Sequence, residues 1–560
     1  MKAVVFLAVL CSVARAQAAE YYVSPAGSDS NEGSLAAPFA TLQKGNDVAA
    51  AGDTVWLRGG TYPNTKQIKL TKSGQSDSKR IKFWAYQAEI PVFDFSKYVS
   101  TNTAVDSPTI LVSGSWLHLK GLEIANGAVG ASGAHSNDAL RSEGASNNVF
   151  ELLNIHHNFG PGLFISKGVG NNLILNCDSH DNYDKDGSQG DGQNADGFGV
   201  HYQMSGASTI IRGCRAWLDS DDGYDLISQE VPVLIENSWA ISNGYSDGGS
   251  GKPASGNGNG FKAGSSDTGI RHTLHNNVAW KNRAAGFYAN HSTGGNTWLN
   301  NTSYMNAVQY NLLASPAGDP DTTIVLSGAL AHKMRNNVGF PNKNTNMSGV
   351  DSMFNTWDSS IAEASSDFIS TSDAGFMGPR QADGSLPNLD FLKLKAGSPL
   401  IDKGTNVDLP YVGSAPDLGA YEYGVVSSSG GSAGSGNPSG GGAGQASGVA
   451  GASAGAPAGN GAGGAGTSSA AGANAMGGNN AAAGNGVGGR PGGDTTTGSA
   501  GLGAESATAG SGQQSNPSDA AGCACSVGPT VRRNDLTLLL LLLASAFARA
   551  RRRRSVDIGK

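Results

Sequence analysis

From residue 148 to residue 306 the chain repeats one pattern: alternating apolar residues, then a polar corner ending in Asn or Asp. The segments NVFELLNIHHN, NLILNCDSHDN, STIIRGCRAWLD, PVLIENSWAISN, HTLHNNVAWKN and NTWLNNTSYMN align on it. Their corners fall at Asn158, Asn182, Asp219, Asn243, Asn282 and Asn306, with steps of 24, 37, 24, 39 and 24. The base step is about one turn of a parallel β-helix, an all-β solenoid in which no coil buries its face alone. Stacked coils place like residues in ladders at ~4.8 Å, and corner Asn ladders satisfy backbone groups there. Cys177 and Cys214 share one ladder position, so they form either a disulfide or a column of thiols.

A second column follows the corner. Gly162, Gly197, Gly223, Gly260 and Gly286 precede Leu163, Phe198, Tyr224, Phe261 and Phe287, which should point inward. With a period of two, Phe164, Gly199, Asp225, Lys262 and Tyr288 then form one outward column. Corner and glycine lie four residues apart in three coils, but 15 apart from Asn182 to Gly197 and 17 apart from Asn243 to Gly260. Two long loops therefore leave the same corner and should wall one cleft. At the amino end, Ala40 to Ala50 reads as a short amphipathic helix capping the solenoid. At the other end, the stretch SPLIDKGTNVDLPYVGSAPDLGAYEYG is expected to close it.

Composition changes the picture at the termini. Of 560 residues 82 are Gly, and they concentrate from Val425 to Ala521, where branched apolar and aromatic residues are almost absent. Such a segment cannot bury enough surface to offset its ordering entropy and is expected to be a disordered Gly/Ala/Ser-rich stalk. The first residues, MKAVVFLAVLCSVARAQAAE, read as a secretory signal peptide. The expected organisation is signal peptide 1–18, β-helix domain 19–424, linker 425–521 and C-terminal segment 522–560. In that last segment Cys523 and Cys525 precede an apolar run, Leu536 to Ala548, and the basic block Arg551 to Arg554. At ~1.5 Å per residue the run spans only about 20 Å against a ~30 Å hydrocarbon core. The tail resembles the C-terminal sorting signal of myxobacterial surface proteins, which implies transient membrane contact, processing near the cysteines and retention at the bacterial cell surface. A tail-anchored helix is the alternative. The net charge of −7 and pI near 5.8 give no electrostatic footing for nucleic acid, and five cysteines are too few for a disulfide scaffold.

The coil alignment gathers Asp196, Asp221, Asp222, Asp225 and Lys262 in the cleft. Carboxylates so close raise one another's pKa, which a bound hard cation would relieve. An all-oxygen set disfavours zinc and suits calcium. A solvated acidic turn is the plain alternative for SDSDDGYD, and a surface charge or an ion pair with Asp225 is the plain alternative for Lys262.

With these residues in place the chain resembles polysaccharide lyase family nine, calcium-dependent pectate lyases on a right-handed parallel β-helix. DSHDNYD, NADGFG, CRAWLDSDDGYD and NGNGFKAG carry the resemblance. It implies calcium ligands at Asp196, Asp221, Asp222 and Asp225, with Lys262 as the Brønsted base in a β-elimination on polygalacturonate, an acidic polysaccharide. The protein is expected to be a monomer. Activity is expected to favour alkaline pH. GVHYQ after Phe198 departs from the family pattern, and its His201 is the next candidate base. Two other classes stay open: a β-helix glycoside hydrolase using Asp196 with Asp221 or Asp222 as acid and base, and a noncatalytic polysaccharide-binding surface protein.

Overall fold

The computed structural model describes residues 18–425, apart from 101–104, 130–134, 136, 188–189, 246–253, 267–268 and 342–344. Residues 1–17 of the expected signal peptide and 426–560, with the linker and the C-terminal segment, lie outside the described residues.

Short strands, mostly of two to five residues, run into three parallel sheets. Sheet 1 has 12 strands and starts at Glu20–Val23; sheets 2 and 3 have 10 each and start at Gly60–Pro63 and Ile68–Leu70. Each coil passes through sheets 1, 2 and 3 in turn, so every strand pairs with the equivalent strand one coil away. The expected parallel β-helix is the fold observed.

The corner residues between sheets 2 and 3 form the anticipated ladder. Asn158 donates from both its backbone N–H and its Nδ2 to Asn182 Oδ1, at 3.1 and 3.0 Å. Asn182 does the same to Asp219 Oδ1, and Asn243 to Asn282, and Asn282 to Asn306. Inside, the rings of Phe198, Tyr224, Phe261, Phe287 and Tyr310 stack in a file with centroids 4.6 to 5.2 Å apart. Burying large rings against one another supplies both area and ring–ring attraction.

Cys177 and Cys214 are free thiols. Each is a ladder member: Leu153 N–H donates to Cys177 Sγ and Cys177 N–H to Cys214 Sγ, at 3.5 and 3.4 Å. A disulfide would remove both acceptors. The column continues through Ser238, Asn277, Asn301 and Asn337, each accepting from the backbone of the coil before.

The amino-terminal helix spans Leu42–Val48, with Thr41 as its N-cap accepting from Lys44 N–H. It lies on the first coil, where a Cβ on Gly45 would come within 2.7 Å of Val55 Cγ1.

The carboxyl end differs from expectation. The last coil strand is Val350–Met353, and residues beyond it run back along the outside of sheet 2 rather than closing the end of the solenoid. The cause is the outward face of sheet 2, where Trp239, Trp280, Tyr304 and Phe340 need cover; Phe391, Leu394, Leu400 and Leu418 provide it. Polar ties register this strap: Trp239 Nε1 donates to Tyr421 Oη, and Trp280 Nε1 to Asp373 Oδ2, each at 3.0 Å.

Candidate active site

Sheet 3 places the outward column where the alternation puts it: Phe164 pairs with Gly199, Gly199 with Asp225, Asp225 with Lys262, and Lys262 with Tyr288. The inward partners Leu163, Phe198, Tyr224, Phe261 and Phe287 have no exposed surface. Although they face away from the core, Asp225 and Lys262 are only 3% and 4% exposed. Described parts of the two long loops meet beside the acids. Gly256 passes so close to the first loop and the acid turn that a Cβ there would lie 2.2 Å from Gly192 O and 2.4 Å from Ser220 O.

Lys262 Nζ sits between two acids, 3.0 Å from Asp222 Oδ2 and 3.1 Å from Asp225 Oδ2. Asp196, Asp221 and Asp222 each offer an oxygen within one 4.8 Å group. Asp225 joins Asp196 in a second such group, whose third member is His201. All five residues singled out in the sequence are thus brought together: the four acids in two overlapping sets that share Asp196, and Lys262 through its contacts with Asp222 and Asp225. Backbone donors and one side-chain amide fix the acids. Asn257 N–H reaches Asp221 Oδ1, Asn259 N–H and Nδ2 reach Asp222 Oδ1 at 2.7 and 2.9 Å, and Asp222 N–H reaches Asp196 Oδ1 at 3.2 Å.

The electrostatics are uneven. Burial first, then the charges of Asp225, Asp221 and Asp222, push the Asp196 carboxyl well above the carboxylate range. Burial and Asp222 do the same to Asp221. Asp222 is also raised by burial, with Lys262 opposing. At Asp225 burial works upward too, but Lys262 and then His201 outweigh it and bring the group down to about 2. Three carboxyls that resist ionisation in the absence of compensating charge, with hard oxygen donors converging, fit a bound calcium.

His201 escaped the sequence reading as part of the cluster. Its signal was available: two residues after Gly199 in the strand Phe198–His201, it also points outward. Gly199 makes the space, since a Cβ there would come within 2.5 Å of the Phe164 ring and 3.7 Å of His201 Nε2. The Phe164 and His201 rings meet edge to face with centroids 4.7 Å apart. Asn257 and Asn259, whose contacts orient the acids, were likewise not foreseen as site residues.

Comparison with known proteins places this arrangement in a family. The family described as Pel9A-like, right handed beta helix region, matches residues 21–337. The chain is 36% identical to pectate lyase L of Dickeya dadantii over 414 residues, covering 72% of this chain and 90% of that protein. Among solved structures, pectate lyase Pel9A superposes with a TM-score of 0.62 at 34% identity, covering 72% of this chain and 96% of that one. A rhamnogalacturonan lyase superposes with 0.59 at 32% identity, covering 67% and 96%. Coil ladders, buried acids and the lysine beside them all lie within the matched region, and the chain belongs to the Pel9A-like family of right-handed β-helix polysaccharide lyases.

Proposed function

We propose that the protein is a calcium-dependent pectate lyase in which Lys262 is the general base. The observation that carries this reading is the position of Lys262 Nζ, 3.0 Å and 3.1 Å from Asp222 and Asp225, on the strand next to the acids and in the same outward column. Asp196, Asp221, Asp222 and Asp225 would hold the cation, which when bound supplies a Lewis acid that draws charge from the uronate carboxylate.

The chain's own part is proton transfer and exclusion of water. Lys262, neutral, takes the proton from carbon five of the uronate; the electron pair forms the double bond to carbon four, and the glycosidic oxygen on carbon four leaves with the bond electrons. Asp225, held ionised at about 2, can accept a hydrogen bond from the protonated Nζ and keep it beside the reacting carbon. With Asp225 and Lys262 only a few per cent exposed, bulk water is kept from these groups.

The relatives named pectate lyase support polygalacturonate as substrate, and the rhamnogalacturonan lyase neighbour makes that polymer the comparison substrate. We read the protein as a secreted monomer, retained at the bacterial cell surface through the segment 522–560. Deletion of Leu536 to Lys560 should release active protein into the medium; unchanged retention would refute that role.

The test of function is ultraviolet absorbance of products from polygalacturonate, with and without a chelator. Elimination gives an absorbing unsaturated end that disappears with the metal. New reducing ends without absorbance would establish hydrolysis by an Asp pair instead, and neither product would leave a binding protein.

A further inference from the structure

We infer that the site holds a second divalent-cation position, built from Asp196, Asp225 and His201, with mixed oxygen and nitrogen ligands that suit a borderline metal such as Co²⁺ or Ni²⁺. The inference rests on the calcium reading above and extends it, because Asp196 and Asp225 would be shared between the two positions. Two observations carry it.

The first is convergence. One ligand atom from each of Asp196, His201 and Asp225 lies within 4.8 Å of the others, in a set that excludes Asp221 and Asp222. The second is an unanswered nitrogen. His201 is 5% exposed, and its Nε2 is buried without a hydrogen bond, the nearest acid oxygen being Asp225 Oδ2 at 3.6 Å. A buried polar atom without a partner is costly, and a metal ion between imidazole and carboxylate would satisfy it. The neighbours of His201 fit a ligand: the Phe164 ring packs against the imidazole edge to face and limits how it turns.

An imidazole ligand separates the two positions chemically: the all-oxygen set favours calcium, whereas nitrogen raises the relative affinity for first-row transition metals.

The test uses the full chain with Co²⁺ as probe, at saturating calcium, with binding followed by cobalt absorption and by equilibrium dialysis. The expected result is one cobalt bound in addition to calcium, with a spectrum that reports a nitrogen ligand. His201→Ala should weaken cobalt about 10-fold to 100-fold while calcium affinity stays within about 3-fold. His201→Gln keeps side-chain volume and polarity but not the imidazole, and should behave like His201→Ala. Calcium binding with cobalt held equally by wild type and both variants, or with no cobalt bound, overturns the second position and leaves the calcium reading intact. Failure of calcium itself to bind, in protein whose circular dichroism matches a β-fold, overturns the calcium reading and this inference together.

Discussion

Two places with buried carboxylates, Asp178 on sheet 2 and the acids around Lys262 beside sheet 3, are treated in opposite ways. Asp178 receives Arg215 in a bidentate pair at 2.7 Å on each oxygen, and Arg380 at 2.6 and 3.2 Å. Burial works to raise its pKa, but the bond from Arg215 and the charge of Arg380 prevail and the group lies below its ordinary value. The acids around Lys262 have one amine among four, and three of them are raised. Asp178 thus carries its counter-ions with it, and the guanidiniums go on to bind the strap at Phe376 O, Gly378 O and Gly384 O. A carboxylate with a fixed counter-ion on every oxygen is a structural tie. Carboxylates short of positive charge are places where charge has to come from elsewhere, and that is the property of a site.

The sharpest way to break this contrast is Lys262→Arg. It keeps the positive charge beside Asp222 and Asp225, so if the lysine were a structural tie like Arg215, little would change. Arginine cannot deprotonate at accessible pH. Turnover on polygalacturonate should fall about 100-fold to 10,000-fold, with polymer binding retained. Steady-state kinetics with a calorimetric binding measurement separate the two readings, and near-normal elimination would return Lys262 to the structural class.

Arg215→Ala tests the other half. One partner of a buried, hydrogen-bonded ion pair is lost, and stability should drop by roughly 3–5 kcal/mol, toward the lower end because Arg380 remains. Denaturant unfolding measures the drop. Turnover per folded molecule should stay near wild type, since Asp178 lies on sheet 2, whereas Asp225 lies on sheet 3 and the other acids just before its strands. A variant of full stability would show that the pair contributes nothing net.

Much of this was legible in the chain because a solenoid converts sequence period into neighbourhood. The steps between corner Asn residues fixed which acid meets which, and alternation around each glycine put Asp225 beside Lys262. What escaped depends on contacts without a period. The strap beyond Met353 folds onto sheet 2 through apolar residues distant in sequence, such as Phe391 against Tyr304 and Trp280, and no local pattern announces its path. The sequence marks His201 only as a fallback base, because its partner one coil earlier, Ser166, carries no charge to mark the column as part of the cluster. A third ladder was hidden because its members alternate in type: His272 accepts from Val233 N–H, Asn296 from His272 N–H, and His332 from Asn296 N–H. Imidazole Nδ1 there does the work of an Asn oxygen.

That histidine ladder offers a third kind of buried titratable group, one kept neutral by burial with no counter-ion at all. Desolvation lowers His272 to about 4, and His332 to about 4 with help from the charge of Arg271. Because the folded state binds fewer protons than the unfolded chain, stability is full above pH ~6.5 and is lost as pH falls from there toward 4. Each histidine should account for about 2–3 kcal/mol of that loss. His272→Asn, matching its Asn296 neighbour, should remove one share, seen as a shallower fall in denaturant midpoint between pH 6.5 and 4.5. An unchanged slope would assign the acid sensitivity to carboxylates such as Asp178.

The smallest effect asks whether every raised carboxyl marks a site, and Asp219 says not. It stands in an Asn ladder, accepting from Asn182 through Oδ1, while its Oδ2 is buried without a partner. Burial pushes its pKa well above the ordinary value, with the bonds from Asn182 opposing. Ionisation is therefore resisted by burial, with a smaller push from the charge of Asp181, and Asp219 belongs to neither convergent acid set. The sign follows: the folded state holds a proton that the unfolded chain releases near pH ~4, so Asp219 weakens the fold progressively as pH rises above that. Elsewhere in the ladder the corresponding Nδ2 of Asn243 and Asn282 donates to the carbonyls of Ala216 and Ala240, at 3.3 and 3.0 Å. Asp219→Asn would supply that donor and remove the titration. It should stabilise the protein by about 1 kcal/mol at neutral pH, with the gain shrinking in acid, and leave calcium affinity and turnover unchanged. Thermal unfolding at pH 5 and pH 8 reads both the sign and its pH dependence. A loss of calcium binding in this variant would mean that the boundary drawn here between ladder and site runs in the wrong place.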